Sequence, residues 1–115
     1  MTIDLDLTRL DQVVDVLDTT VPEIVAGLLA NLIETITTLE AHLDHERLEL
    51  AARAAHTCRN DALLVGARGL LSALNEIEQA ARGGRLDDAR AAQVILDEVW
   101  PDTQQALSEI AAPAG

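Results

Sequence analysis

Three side chains in this sequence have the types and spacing to carry a phosphoryl group: His56, Arg59 one helical turn later, and Glu78, 22 residues after the histidine. A neutral imidazole keeps a lone pair at physiological pH, so it can act as a covalent nucleophile. To hold a phosphoryl group it needs three things. It must be exposed to a partner, a cation must meet the phosphoryl oxygens, and an acceptor on the second ring nitrogen must fix the tautomer. Arg59 is the candidate cation and Glu78 the candidate acceptor. The plain alternative is a solvated histidine on a polar helix face, with a solvated glutamate elsewhere.

Other residues invite chemistry less directly. His42, His45, Glu46 and Glu49 have spacings of three and four that could gather metal ligands, although polar groups are also expected at a helix junction. Cys58 is the single cysteine, so it has no internal disulfide partner; it reads as a small buried hydrophobe. The glycine pair in Arg82-Gly83-Gly84-Arg85 lacks the spacing and the Lys-Ser/Thr ending of a phosphate-binding loop, and reads as a helix stop.

These residues need a scaffold. The chain has 115 residues, the length of one domain, and 49 % of them are hydrophobic. Phe and Tyr are absent and Trp100 is the only aromatic, which argues for helix packed on helix rather than for a sheet. Twenty acidic against eight basic residues give a net charge of −12. Such a chain repels phosphate backbones and anionic membrane surfaces, so neither nucleic acid nor membrane is an expected partner. No uninterrupted apolar run reaches the roughly 20 residues of a membrane span, and the acidic amino terminus has no signal pattern. Together with the lone cysteine this suggests a cytoplasmic protein.

Hydrophobic periodicity places five helices. A short one spans about Asp6 to Asp18, with Leu7, Leu10, Val13, Val14 and Leu17 on one side. Thr20 reads as the N-cap of a long second helix to about Leu43, with Pro22 in its first turn and Glu23 able to bond back. A connection at His42 to His45, with Asp44 as cap, leads into a third helix from about His45 to Val65, stopped by Gly66. The fourth runs from Ala67 or Arg68 to Arg82. The fifth runs from about Asp87 to Ile110 and should kink at Pro101, near Asp97 to Trp100, with Trp100 partly buried there. The tail from Ala111 to Gly115 should fray. The expected fold is all-α: an antiparallel up-down four-helix bundle over about residues 20–111, with the short first helix capping one end, in a single domain over 1–115.

On the third helix, Ala51, Ala55, Cys58, Ala62 and Val65 share one side, while His56 lies opposite with Glu49, Arg53 and Asn60. If the chain reverses near Gly66, His56 comes level with the Glu76 to Glu78 region of the next helix, whose buried stripe is Leu70, Leu71, Leu74 and Ile77. Leu63 and Leu64 lie off the core stripe near His56 and are candidates for an apolar docking rim, with Arg53 and Asn60 beside them.

The run A54-A-H-T-C-R-N-D-A-L-L-V-G-A-R-G-L70 resembles the histidine-containing phosphotransfer (HPt) domain family. That family's motif has a histidine, a basic residue three on, a glycine four on, small residues next, and Gly-Ala ten and eleven on. Here His56, Arg59, Asn60, Asp61 with Ala62, and Gly66-Ala67 stand at those positions, and Glu78 falls where the family places a Glu or Gln bonded to the imidazole. The resemblance implies a phosphorelay intermediate, with His56 as phosphoacceptor between the aspartates of receiver domains. Its partners would be a response-regulator receiver and a hybrid sensor histidine kinase, with no ATP site of its own and with Mg²⁺ supplied by the receiver rather than by a cofactor bound here. Three positions depart from the pattern: Arg59 replaces the usual lysine, Asn60 the usual glycine, and Asp61 a small residue. Asn60 and Asp61 also admit a second reading, a domain that binds a receiver or kinase without accepting phosphate.

Overall fold

The structure is a computed structural model describing residues 5–112. It contains five helices: α1 (Thr8–Leu17), α2 (Val21–Asp44), α3 (Leu48–Leu64), α4 (Arg68–Arg82) and α5 (Leu86–Ala111), with no strand among the described residues. Each of the four long helices packs on two others: α3 on α2 and α4, and α5 on α4 and α2. α1 packs on α2, anchored by the fully buried Leu10.

The core is built from apolar stripes on the long helices, and that of α4 is the expected one except that Leu71 is only partly buried. Leu32, Leu39 and Leu43 of α2, Leu70, Leu74 and Ile77 of α4, and Leu96 and Leu107 of α5 are closed to solvent. The facing side of α3 is made of Ala51, Ala55, Cys58 and Ala62, small residues that let its neighbours approach closely. Within this core the Cys58 thiol is pushed up to about 12, by burial first and by the Asp61 charge second. It stays protonated, as the reading of a small hydrophobe requires.

The three links between the long helices share one design. After α3, Gly66 N–H donates to Leu63 O and Ala67 N–H to Ala62 O; after α4, Gly84 and Arg85 repeat the pattern onto Ala81 and Ala80. The same pair of bonds follows α2, from Glu46 to Leu43 and from Arg47 to His42. This is the Schellman stop, whose pivot residue must take the left-handed conformation. Gly66 (φ 64°) and Gly84 (φ 72°) do so freely, whereas Glu46 (φ 57°) does so against the steric preference of its Cβ. At Gly66 a side chain is also excluded by space, since a Cβ would lie 2.5 Å from the Asp6 backbone nitrogen.

Several boundaries differ from the sequence reading. Asp44 does not cap the third helix: it ends α2, His45 closes that helix, and α3 starts at Leu48 after Arg47. The link lies later because Glu46, not a glycine, carries the turn. Thr20 does take the extended N-cap conformation with Pro22 in the first turn, but its side chain makes no cap bond; Glu23 instead accepts from the Thr19 hydroxyl at 2.7 Å. α1 starts at Thr8, where the Asp6 carboxylate accepts from the Thr8 hydroxyl and amide, bonds that hold its pKa below the usual carboxylate value. α5 stays helical through Pro101, with Trp100 half-buried against the core. Of the tail expected to fray, residues 113–115 lie outside the described residues.

Average hydropathy singles out one helix even though no uninterrupted apolar run spans it. α2 has 24 residues and contains an 18-residue window of mean hydropathy 1.4, long and apolar enough to cross a membrane by length and composition. Gly27 and Glu34 interrupt its apolar run without lowering the average enough. In this fold its Val25, Leu32, Ile36, Leu39 and Leu43 are buried, on a helix that packs against α3 and α5.

Candidate functional site

α3 and α4 run past one another in opposite directions, because the paired residues keep a constant sum: His56 meets Glu78 and Arg59 meets Asn75. That register follows from the Gly66 turn, which reverses the chain within three residues of each helix end. It brings His56 and Arg59, one turn apart on α3, opposite Asn75 and Glu78, three residues apart on α4.

Glu78 is the centre of the cluster. It is 6 % exposed, and a buried carboxylate is costly unless its oxygens are satisfied. Arg82, four residues on, donates its Nε–H to Oε2 at 2.9 Å, and its Nη2 forms an ion pair with the same oxygen at 2.9 Å. His56 Nδ1 lies 3.2 Å from the same oxygen and 3.4 Å from Oε1. Arg59 Nη1 reaches Oε1 at 3.5 Å and donates to Asn75 Oδ1 at 3.0 Å. Two guanidinium groups and one imidazole therefore share one buried carboxylate.

The arrangement selects the tautomer of His56. An ionised carboxylate only accepts, so the shorter contact from Nδ1 requires a proton on Nδ1. Arg59 Nη2 stands 3.5 Å from the same nitrogen, at the limit of hydrogen bonding. With Nδ1 committed to Glu78, Nε2 keeps the lone pair. The His56 side chain is 47 % exposed, so this nucleophilic nitrogen belongs to a ring open to solvent.

Beside the histidine lies an open groove of about 470 Å³ lined by Arg59, Asn60, Leu63, Arg68, Leu71, Ser72 and Asn75. Leu63 is 42 % exposed and forms part of its apolar lining, while its carbonyl accepts from Arg9 of α1. Leu64, expected off the core stripe, packs partly against the core instead. Arg53 is exposed and bonds Glu49 at 3.1 Å as a helical pair. Asn60 lines the groove one turn beyond His56. Asp61 is half-buried and close enough to Cys58 to raise the pKa of its thiol, which places it round the helix from His56; burial raises the pKa of Asp61 itself.

Asn75 and Arg82 are site residues that the sequence reading missed. Their signal was present: they stand three before and four after Glu78, on the same face of α4. The group weighed for a metal does not assemble. Among the described residues, no three His, Cys, Asp or Glu side chains gather to hold an ion. His42 ends on α2 and Glu49 is engaged by Arg53 on α3.

The family model for the Hpt domain matches residues 23–112, most of the chain and all of the site just described. The chain belongs to the Hpt domain family. No curated protein and no solved structure matches it. Hpt domains are phosphotransfer carriers that work with receiver domains and histidine kinases, so membership places this chain in phosphorelay signalling.

Proposed function

We propose that this Hpt domain accepts a phosphoryl group on His56 Nε2 from the aspartyl phosphate of one receiver domain and returns it to the aspartate of another. The observation that carries the reading is the contact of His56 Nδ1 with the buried Glu78 carboxylate, which leaves Nε2 as the nucleophile on an exposed ring. In the forward step the mixed-anhydride P–O bond breaks, the Nε2–P bond forms and the receiver aspartate leaves as a carboxylate. The Nδ1 proton stays on the ring, where Glu78 stabilises the positive charge that develops. Arg59 meets the phosphoryl oxygens, and Arg82 keeps Glu78 in place. Mg²⁺ resides on the receiver, and this chain contributes no ATP site.

The docking surface is the groove beside His56, with Leu63 as the apolar contact and Asn60 in its lining, and extends to the exposed Arg53 one turn before the histidine. Packing of each long helix on two neighbours through three-residue links supports an antiparallel up-down four-helix bundle with α1 capping one end, forming a single domain over residues 1–115. Composition supports a cytoplasmic location. A second reading is favoured by Asn60, whose side chain lines the face a receiver must approach: a domain that binds without accepting phosphate.

Incubation with a panel of phosphorylated receiver domains tests both. Transfer of acid-labile label to the wild type, lost in His56→Gln, is expected. Tight receiver binding with no label establishes the second reading, and faster transfer by Asn60→Gly identifies crowding as the limit.

A further inference from the structure

Arg59 does not face the nitrogen that would carry the phosphoryl group. Its Nη1 donates to Asn75 Oδ1 at 3.0 Å and lies 3.5 Å from Glu78, and its Nη2 sits 3.5 Å from His56 Nδ1. The Glu78 carboxylate and the Arg59 Nη2 thus both lie at the Nδ1 edge of the ring. Nε2 is on the opposite edge, and a phosphoryl group bonded there projects its oxygens further outward. Turning the fork of the guanidinium outward onto those oxygens draws Nη1 away from its present bond to Asn75.

We infer that Asn75 is a positioning residue that parks Arg59 inward in the unphosphorylated protein, and that accepting the phosphoryl group exchanges this bond for contacts to the phosphoryl oxygens. The inference rests on the proposed role of His56. Asn75 suits the task chemically. It is a neutral acceptor on rigid α4, so it orders a long, entropy-rich side chain yet holds it by a bond weaker than a dianionic phosphoryl group offers. Half-burial of Asn75 shields the bond from water without sealing it. An aspartate at this position would hold Arg59 by an ion pair and oppose the exchange.

The test uses the full chain and phosphoramidate, a small donor whose P–N bond is exchanged for the Nε2–P bond with release of ammonia. Phosphohistidine half-lives are compared for the wild type, Asn75→Ala, Asn75→Ser and Asn75→Asp, each also in an Arg59→Ala background, with helical circular dichroism confirming the fold. Releasing Arg59 in Asn75→Ala, or in Asn75→Ser if the alanine variant unfolds, should lengthen the half-life about twofold to tenfold, the range of one neutral hydrogen bond. Asn75→Asp should shorten it, and neither effect should survive without Arg59. A merely structural role moves all variants in the same direction and persists in the Arg59→Ala background. Either of those results, or no change, overturns the role of Asn75 while leaving that of His56 intact. A wild-type protein that takes no phosphoryl group from phosphoramidate or from any phosphorylated receiver overturns the functional reading, and this inference with it.

Discussion

Glu78→Gln and Glu78→Leu separate what the buried carboxylate does for the fold from what it does for the histidine. Glutamine keeps an acceptor of the same reach opposite His56 Nδ1 but removes the charge shared by Arg82 and Arg59. Hydrogen bonds to charged groups contribute about 1.5–3 kcal/mol and neutral ones about 0.5–1.5. Solvent weakens the difference here, because the Arg82 side chain is 58 % exposed and that of Arg59 34 %. About 1–2 kcal/mol of stability should therefore be lost in Glu78→Gln. Leucine also removes the desolvation cost of the carboxylate, and both arginines can turn to water, so its loss should be no larger. Phosphorylation should rank them the other way. Glutamine still accepts from Nδ1–H and should stay within about tenfold of the wild type, whereas leucine leaves the ring without that partner and should cost about tenfold or more. Urea unfolding followed by circular dichroism gives the first ranking, and the rate of phosphohistidine formation from a phosphorylated receiver gives the second. Equal phosphorylation of the glutamine and leucine variants would refute the role assigned to the Nδ1 contact.

Other consequences are local. Glu46→Gly should stabilise the protein by about 0.5–1 kcal/mol by relieving a left-handed residue, and Gly66→Ala should cost at least about 1 kcal/mol because strain and the Asp6 backbone both oppose a Cβ; thermal or urea unfolding measures each. The Glu40 carboxyl of α2 is pushed up to about 7, by burial first and then by Asp97 and Asp44. A folded-state value raised above the unfolded one means that the native state binds the extra proton, so this contribution is fully present below about pH 4.5 and is lost as pH rises through about 7. Stability measured from pH 5 to 8 should show this fall, and Glu40→Gln should flatten it; an unchanged slope in that variant contradicts the assignment. Cys58 should resist a thiol alkylating agent in the native protein and react promptly in urea; equal rates would contradict its burial.

The sequence made the helices and the histidine site legible for the same reason: both are periodic. Apolar residues three and four apart mark the buried stripes, and the Gly66 reversal alone places His56 level with Glu78. The link after α2 was misread because its left-handed pivot is Glu46, and a glutamate gives no hint of that conformation. Two identical turns nearby carry glycine and were placed correctly. Asn75 and Arg82 are not called for by the imidazole, which needs only one acceptor. A buried carboxylate needs several partners, and they were waiting at positions three before and four after it. Leu64 could not be told from Leu63 by wheel position alone, since the packing of neighbouring helices decides which of the two is covered. α2 shows the opposite limit: its hydropathy suits a membrane as well as a core, and only its packing partners make it a core helix in this fold.

The central claim, that His56 Nε2 carries the phosphoryl group, is tested most directly by phosphorylating ¹⁵N-histidine-labelled protein from a receiver domain and recording the imidazole resonances. A phosphorus coupling on Nε2 of His56, with Nδ1 still protonated, is predicted. Phosphorylation at Nδ1, label on His42 or His45, or a wild type that stays unphosphorylated while it binds the receiver would contradict it.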